Sequence, residues 1–320
     1  MRPISHILCT VLVGLLLAGL FVSCNKDKEE ATPKSASDLI QEDPSFTLLR
    51  AAVLRANFAD ALKAANLTIF APNDDAFKAA GYADVASINA LPVATIEQIL
   101  KYHVFNGPIK SDSPQLGTNT PVQSIGGGTA YITKTTSGST AGLTINGARV
   151  TKADQQVSNG IVHTIDRVLL PTATTILSAL QSDPANFSLV LAAINRIPTL
   201  AVQLSTSATT QPITIFIPDN AAFAAAGSPL TNLAAINAAS LTTLSSILGY
   251  HATLGTLFSN QLTAGQLTSL NPTSAKLAVV ITNNVPTIKG NQNTTAATIK
   301  RADIVANNGI VHVVSQVLKP

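Results

Sequence analysis

The stretch Thr68-Ile69-Phe70-Ala71-Pro72-Asn73-Asp74-Asp75-Ala76-Phe77 occurs twice in this chain, the second time as Thr214-Ile215-Phe216-Ile217-Pro218-Asp219-Asn220-Ala221-Ala222-Phe223. Each copy reads as a β-strand that turns directly into a helix. Thr-Ile-Phe carries the β-branched and aromatic content of a strand. Pro72 stops it, Asn73 has the side chain of an N-cap, and Asp74 and Asp75 suit the positive end of the helix that follows. With Asn73 as cap, Phe77 falls at the fourth helical position and is expected to pack on Pro72 as a hydrophobic staple. Pro218, Asp219 and Phe223 repeat the arrangement.

Working outward, the same order of signals is found in both halves. Tyr102-His103 returns as Tyr250-His251, and Asn159-Gly160-Ile161-Val162-His163 returns as Asn308-Gly309-Ile310-Val311-His312. Upstream, Asp43-Pro44 and Phe46 match Asp183-Pro184 and Phe187. The spacing between copies grows slowly along the chain, as loop insertions in one duplicated domain would make it, and it far exceeds the ~20–50-residue period of solenoid repeats. The 320 residues therefore divide into domains at 36–171 and 172–320. Each opens with an apolar helical stretch (46–65; 187–204), continues through the strand, a brief helix and a longer helix ending at Tyr-His, and closes with a strand-rich half. Asn146-Gly147 and Asn159-Gly160 read as type I′ hairpin turns.

These three ordered motifs resemble the fasciclin-like domains: the 68–77 stretch their first homology box, Tyr102-His103 their central tyrosine-histidine motif, and 159–171 their second box. All three recur at 214–223, 250–251 and 308–320. The resemblance implies an α/β (α+β) fold of two fasciclin-like domains, each a β-sandwich-like core with helices packed on one side. It also implies an extracellular or surface-attached protein concerned with adhesion or with matrix and polysaccharide contacts, and it marks Tyr102 and Tyr250 as candidate contact positions. The second copy departs at Ile217 for Ala71, Ser315 for Asp166 and Gln316 for Arg167, which removes both charges from its closing strand.

The histidines recur at equivalent positions, so two metal sites are one reading. Periodicity favours another. Ile96, Ile99, Leu100 and His103 lie at i, i+3, i+4 and i+7, and Leu244, Ile247, Leu248 and His251 repeat the stripe, so each histidine continues a buried face and is expected to bond its ring nitrogens to backbone. His163 and His312, on strands, take the same reading. No carboxylate recurs beside any of the four to complete a metal shell. Tyr250 is offset by about 100° from His251, and its hydroxyl is expected to reach water. Thr242, Thr243, Ser245 and Ser246 lie off the stripe and complete a candidate binding face.

Charge separates the copies. Charged residues are only 12% of the chain and the net charge is +3, with no Lys/Arg cluster that would track phosphates, so no nucleic acid is expected as partner. Between Asp219 and Lys276 there is no Asp, Glu, Lys or Arg at all. A surface without charges is less costly to desolvate and favours a partner or the neighbouring domain; a general preference for Ala, Thr, Ser and Asn on this surface explains it equally. No nucleophile elbow, zinc-binding helix motif or phosphate loop is present. Asp74-Asp75 becomes Asn220-Ala221 in the copy, which a helix-start role tolerates and catalysis does not. The expectation is no enzyme, no cofactor and no metal.

The N-terminus carries an address. Ile7 to Val22 holds no charge, is shorter than a membrane-spanning helix requires, and ends in Leu20-Phe21-Val22-Ser23-Cys24, which resembles a bacterial lipoprotein box. Residues 1–23 read as a signal peptide, Cys24 as the lipidated residue and 24–35 as a polar tether; an uncleaved anchor is the alternative. Cys9 and Cys24 are the two cysteines of the chain, so the domains hold no disulfide. The acidic tether resembles surface-export signals of Gram-negative lipoproteins, which points to the outer membrane and the cell surface. The function expected is a lipid-anchored binding protein for an extracellular protein or polysaccharide, with a ligand-capture module or a structural spacer of the envelope as alternatives.

Overall fold

The computed structural model describes residues 33–320 except 114, 136–141, 173–174, 207–210, 226, 272, 274 and 284. The apolar run 7–22, Cys24 and the tether up to residue 32 lie outside the described residues. In the first domain, helices α1 (Ala36–Glu42) and α2 (Thr47–Arg55) lead into strand β1 (Leu67–Pro72), then α3 (Asp74–Ala79), α4 (Val85–Asn89) and α5 (Val93–Tyr102). Six strands follow: β2 (Val104–Asn106), β3 (Thr120–Gln123), β4 (Thr129–Thr135), β5 (Gly142–Ile145), β6 (Ala148–Val157) and β7 (Gly160–Ile165). They join β1 in one sheet of order β2-β1-β7-β6-β5-β4-β3. An isolated bridge between Phe105 and Ser124 ties the two ends of that order together. The sandwich-like core is thus a single sheet curled almost closed, with the helices on one outer side.

Strand β1 is central to this arrangement. It pairs in parallel with β7, Phe70 opposite His163, and all six of its residues are buried, as expected for a strand covered on both faces. Its alternation feeds two cores. Leu67, Ile69 and Ala71 pack with Leu49, Val53 and Ile96 of the helices, while Phe70 enters the interior of the curled sheet with Tyr102, Phe105, Ile132 and Ile145.

The second domain repeats each step: α6 (Ile176–Gln181), α7 (Pro184–Asn195), α8 (Pro198–Ser205), β8 (Ile213–Pro218), α9 (Asn220–Ala224), α10 (Leu233–Ala238), α11 (Leu241–Tyr250) and β9 (Ala252–Leu254). Strands β10 (Gly265–Thr268), β11 (Lys276–Thr282), β12 (Val285–Lys289), β13 (Ala297–Ala306) and β14 (Gly309–Val314) complete the equivalent sheet. A bridge between Thr253 and Ser269 curls it in the same way.

The caps behave as the sequence indicates. Asn73 Oδ1 accepts from the Ala76 amide and Asp219 Oδ1 from that of Ala222, each at 2.8 Å. Pro72, Phe77, Pro218 and Phe223 are all buried. Asp74 and Asn220 hold equivalent places: their Oδ1 atoms accept from the backbone of the preceding helix, at Leu48 (2.8 Å) and Leu189 (3.0 Å). A carboxylate and an amide serve equally there, which explains the exchange between copies.

One hairpin differs from expectation. Asn146-Gly147 forms the expected two-residue turn, with φ of 47° and 76°. At Asn159-Gly160, however, Val157 pairs with Gly160, so Ser158 and Asn159 make the turn and the glycine opens β7. Gly160 is required by contact: a Cβ there would sit 2.0 Å from the Leu67 carbonyl oxygen, and at Gly309 1.9 Å from that of Ile213. Asn159 is a clasp. Its Oδ1 accepts from the Ala36 amide and its Nδ2 donates to the carbonyls of Leu62 and Ala64. Asn308 does the same for Ile176 and Leu204.

Candidate binding surfaces

The four repeated histidines are structural. His103 Nδ1–H donates to the Ile99 carbonyl at 2.8 Å, and its Nε2 accepts from the Leu169 amide at 2.9 Å. His251 makes the same pair with Ile247 and Leu318, at 2.7 and 2.9 Å. One nitrogen must donate and the other accept, so each ring is neutral. Burial pushes both down to about 4 from the ordinary 6.5. His163 and His312 carry the opposite tautomer. Their Nε2–H groups donate to Ile109 and Leu257, and their Nδ1 atoms accept from the amides of Asp154 and Asp303. Their rings stack on Phe70 and Phe216 at 4.9 and 5.4 Å. Burial lowers their pKa as well.

The tyrosines correct the sequence reading. Tyr102 and Tyr250 are 1% and 0% exposed, and neither presents a wet hydroxyl. The helical stripe accounts for one wall only; the curled sheet supplies another over the helix end. Tyr102 Oη donates to the Thr129 carbonyl (2.7 Å) and accepts from Asn146 Nδ2 (2.9 Å). Tyr250 Oη donates to the Lys276 carbonyl and accepts from the Asn291 amide. Both tyrosines are pins between helix and sheet, and burial raises their pKa.

The remaining face residues divide. Thr242 and Thr243 are exposed in the first turn of α11, where Ser240 caps the helix. Ser245 and Ser246 are half-buried, and Asn271 Nδ2 donates to both the carbonyl and the hydroxyl of Ser246. A charged side chain at Ser246 would therefore have to displace the Asn271 amide. Thr242, Thr243 and Ser246 border an open groove of about 400 Å³ with Gln292 and Lys319. Gln292 belongs to the segment between β12 and β13, where the first domain has only the Asn146-Gly147 turn.

A second surface is the junction of the domains, which the uncharged stretch of the sequence announced only as one of two possible uses. Arg167 Nη1 donates to Asp303 Oδ2 at 2.5 Å. Asp303 sits at a bulge of β13 with φ 61°, and also accepts from the amide and hydroxyl of Ser259. Asn119 donates to Thr256, Gln261 donates to Asn119 and Thr133, and the ring of Tyr131 lies 6.0 Å from that of Phe258. Thr256, Phe258, Ser259 and Gln261 all come from the uncharged stretch, so part of it serves the neighbouring domain. A further signal was the change of Arg167 to Gln316. Gln316 bonds Thr295 of its own domain instead.

The fasciclin domain model matches residues 44–171 and 185–320. This chain belongs to the fasciclin domain family. Protein sll1483 of Synechocystis sp. is 36% identical over 148 residues, 44% of this chain and 78% of that protein. A fasciclin-like arabinogalactan protein of Arthroderma benhamiae is 30% identical over 56% of this chain, and the transforming growth factor-beta-induced protein ig-h3 of Sus scrofa is 31% identical over 56%. The chain spans only 38% and 24% of those two relatives. A solved FAS1 domain pair from the insect cell adhesion molecule Fasciclin I aligns with 85% of this chain and 97% of its own length, at 22% identity and a TM-score of 0.39. Fasciclin domains are linked to cell adhesion and to surface proteins.

Proposed function

We propose that this chain is a lipid-anchored surface protein that works by binding, in adhesion to an extracellular protein or polysaccharide. The observation that carries the reading is the union of two fasciclin domains with a cysteine, Cys24, placed directly after an uncharged run of lipoprotein-signal length. The site geometry supports binding over chemistry, since the repeated tyrosines and histidines are spent on holding helix to sheet. The contact surface proposed is the first turn of α11 with its groove, where Thr242, Thr243 and Gln292 offer hydroxyl and amide groups and Lys319 adds a positive charge at the border. Such a lining can bond a neutral polar chain without burying unpaired charge. The outer membrane of a Gram-negative cell, with the domains outward, is the location proposed.

Metabolic labelling with a lipid precursor tests the anchor. Wild type should take the label and fractionate with membranes, and Cys24→Ser should lose both and cease to support attachment. Membrane retention of Cys24→Ser without label would establish an uncleaved anchor instead.

A further inference from the structure

Between the domains lies a cleft of about 300 Å³, at the lower end of the range for small-molecule pockets and at a domain junction, where such pockets concentrate. One wall is the chain leaving β7, including Leu169 and Leu170. The other is the bulge of β13, including Ile304, with Ala179 of α6 beside them. Leu170 is 58% exposed, an apolar side chain left open at the mouth. Bulges that redirect side chains are frequent beside functional sites.

The polar groups of the cleft do not balance. Its carboxylate, Asp303, is saturated: both oxygens are taken by Ser259 and Arg167, and the side chain is only 4% exposed. Its guanidinium groups are not saturated. Arg167 has one close acceptor, Asp303, with Ser259 Oγ at 3.5 Å, and is 42% exposed. Arg301 keeps a long ion pair with Asp183 at 3.7 Å, beyond hydrogen-bond reach. It lies over the Phe187 ring and is 53% exposed. A guanidinium carries five donors in a planar fork suited to oxyanions. Accessible guanidinium donors over an aliphatic floor suit an amphipathic oxyanion.

We infer that this cleft binds a small amphipathic oxyanion, its head between Arg167 and Arg301 and its aliphatic body against Leu170, Ala179 and Ile304. The site draws on both domains and does not depend on surface attachment. A carboxylate and a phosphomonoester share the required chemistry, and the titration separates them.

The test is calorimetric titration of the full chain at low salt with octanoate, hexyl phosphate, octanol and octylamine. One oxyanion per chain should bind, with octanol and octylamine at least about tenfold weaker. The stronger of octanoate and hexyl phosphate identifies the head group. Arg301→Gln should weaken binding by about tenfold while the melting temperature holds, and Ala179→Phe, which fills the floor, should abolish it. Octanol binding as tightly as octanoate and hexyl phosphate, or unchanged affinity in Arg301→Gln, would overturn the assignment.

Discussion

His251 is held neutral because each ring nitrogen is committed to a backbone group of opposite polarity. Protonation would replace an acceptor with a donor facing the Leu318 amide. Its folded pKa of about 4 lies below the ordinary 6.5, so the unfolded chain binds protons first as pH falls. The stability linked to this ring is full above about pH 6.5 and drains away toward pH 4, and His103 behaves alike. The loss approaches about 3 kcal/mol per histidine by linkage, measurable by denaturant unfolding at pH 7.5 and 4.5. His251→Leu should lower stability at neutral pH and remove its share of the pH dependence. The glycines give a sharper expectation. Gly309→Ala would drive a Cβ into the Ile213 carbonyl, where moving β8 away from β14 breaks the parallel pairing, and a loss above about 4 kcal/mol or failure to fold should follow in thermal melts. The core role of the histidines was legible, because a 3.6-residue stripe names the residues on its own face. The burial of Tyr102 and Tyr250 was not, because the groups that cover them, Thr129, Asn146, Lys276 and Asn291, come from strands and turns far along the chain.

At the scale of the element, α11 separates binding from stability. Ser240 is its N-cap, so Thr242 and Thr243 occupy the second and third helical positions. Glutamate suits both, facing the positive end of the helix and, at the third position, completing a capping box. Thr242→Glu with Thr243→Glu should therefore leave the melting temperature unchanged or slightly raised. Ser246→Glu should cost about 1–3 kcal/mol, since the side chain of Asn271 would lose its place. Circular-dichroism melts of the two variants compare them directly. The strand-to-helix boxes, the caps and the Asn146-Gly147 turn could be read locally because their chemistry lies within a few residues. The curl of each sheet rests on pairings such as Phe105 with Ser124, which no local pattern announces.

For the whole molecule, the duplication gives two complete sheets and two pairs of cores, joined through Arg167 and its surroundings. Arg167→Gln reproduces the residue of the second copy and leaves the buried carboxylate of Asp303 without its cation. A loss of about 1–2 kcal/mol, with the melting profile broader or more clearly split than that of wild type in calorimetry, is the expected result. The two-domain plan was visible in the sequence as three motifs met twice, whereas the joint was visible only as an uncharged stretch open to a partner or the neighbouring domain and as the change of Arg167 to Gln316 between the copies. Function, on this reading, runs through contact at α11 and not through the tyrosine-histidine motif. Attachment strength of cells carrying equal surface amounts of wild type or the Thr242→Glu, Thr243→Glu variant measures this most directly. Strongly weakened attachment with folding intact is the predicted result, because the new carboxylates would be buried unpaired against a partner; full attachment by the variant would contradict it.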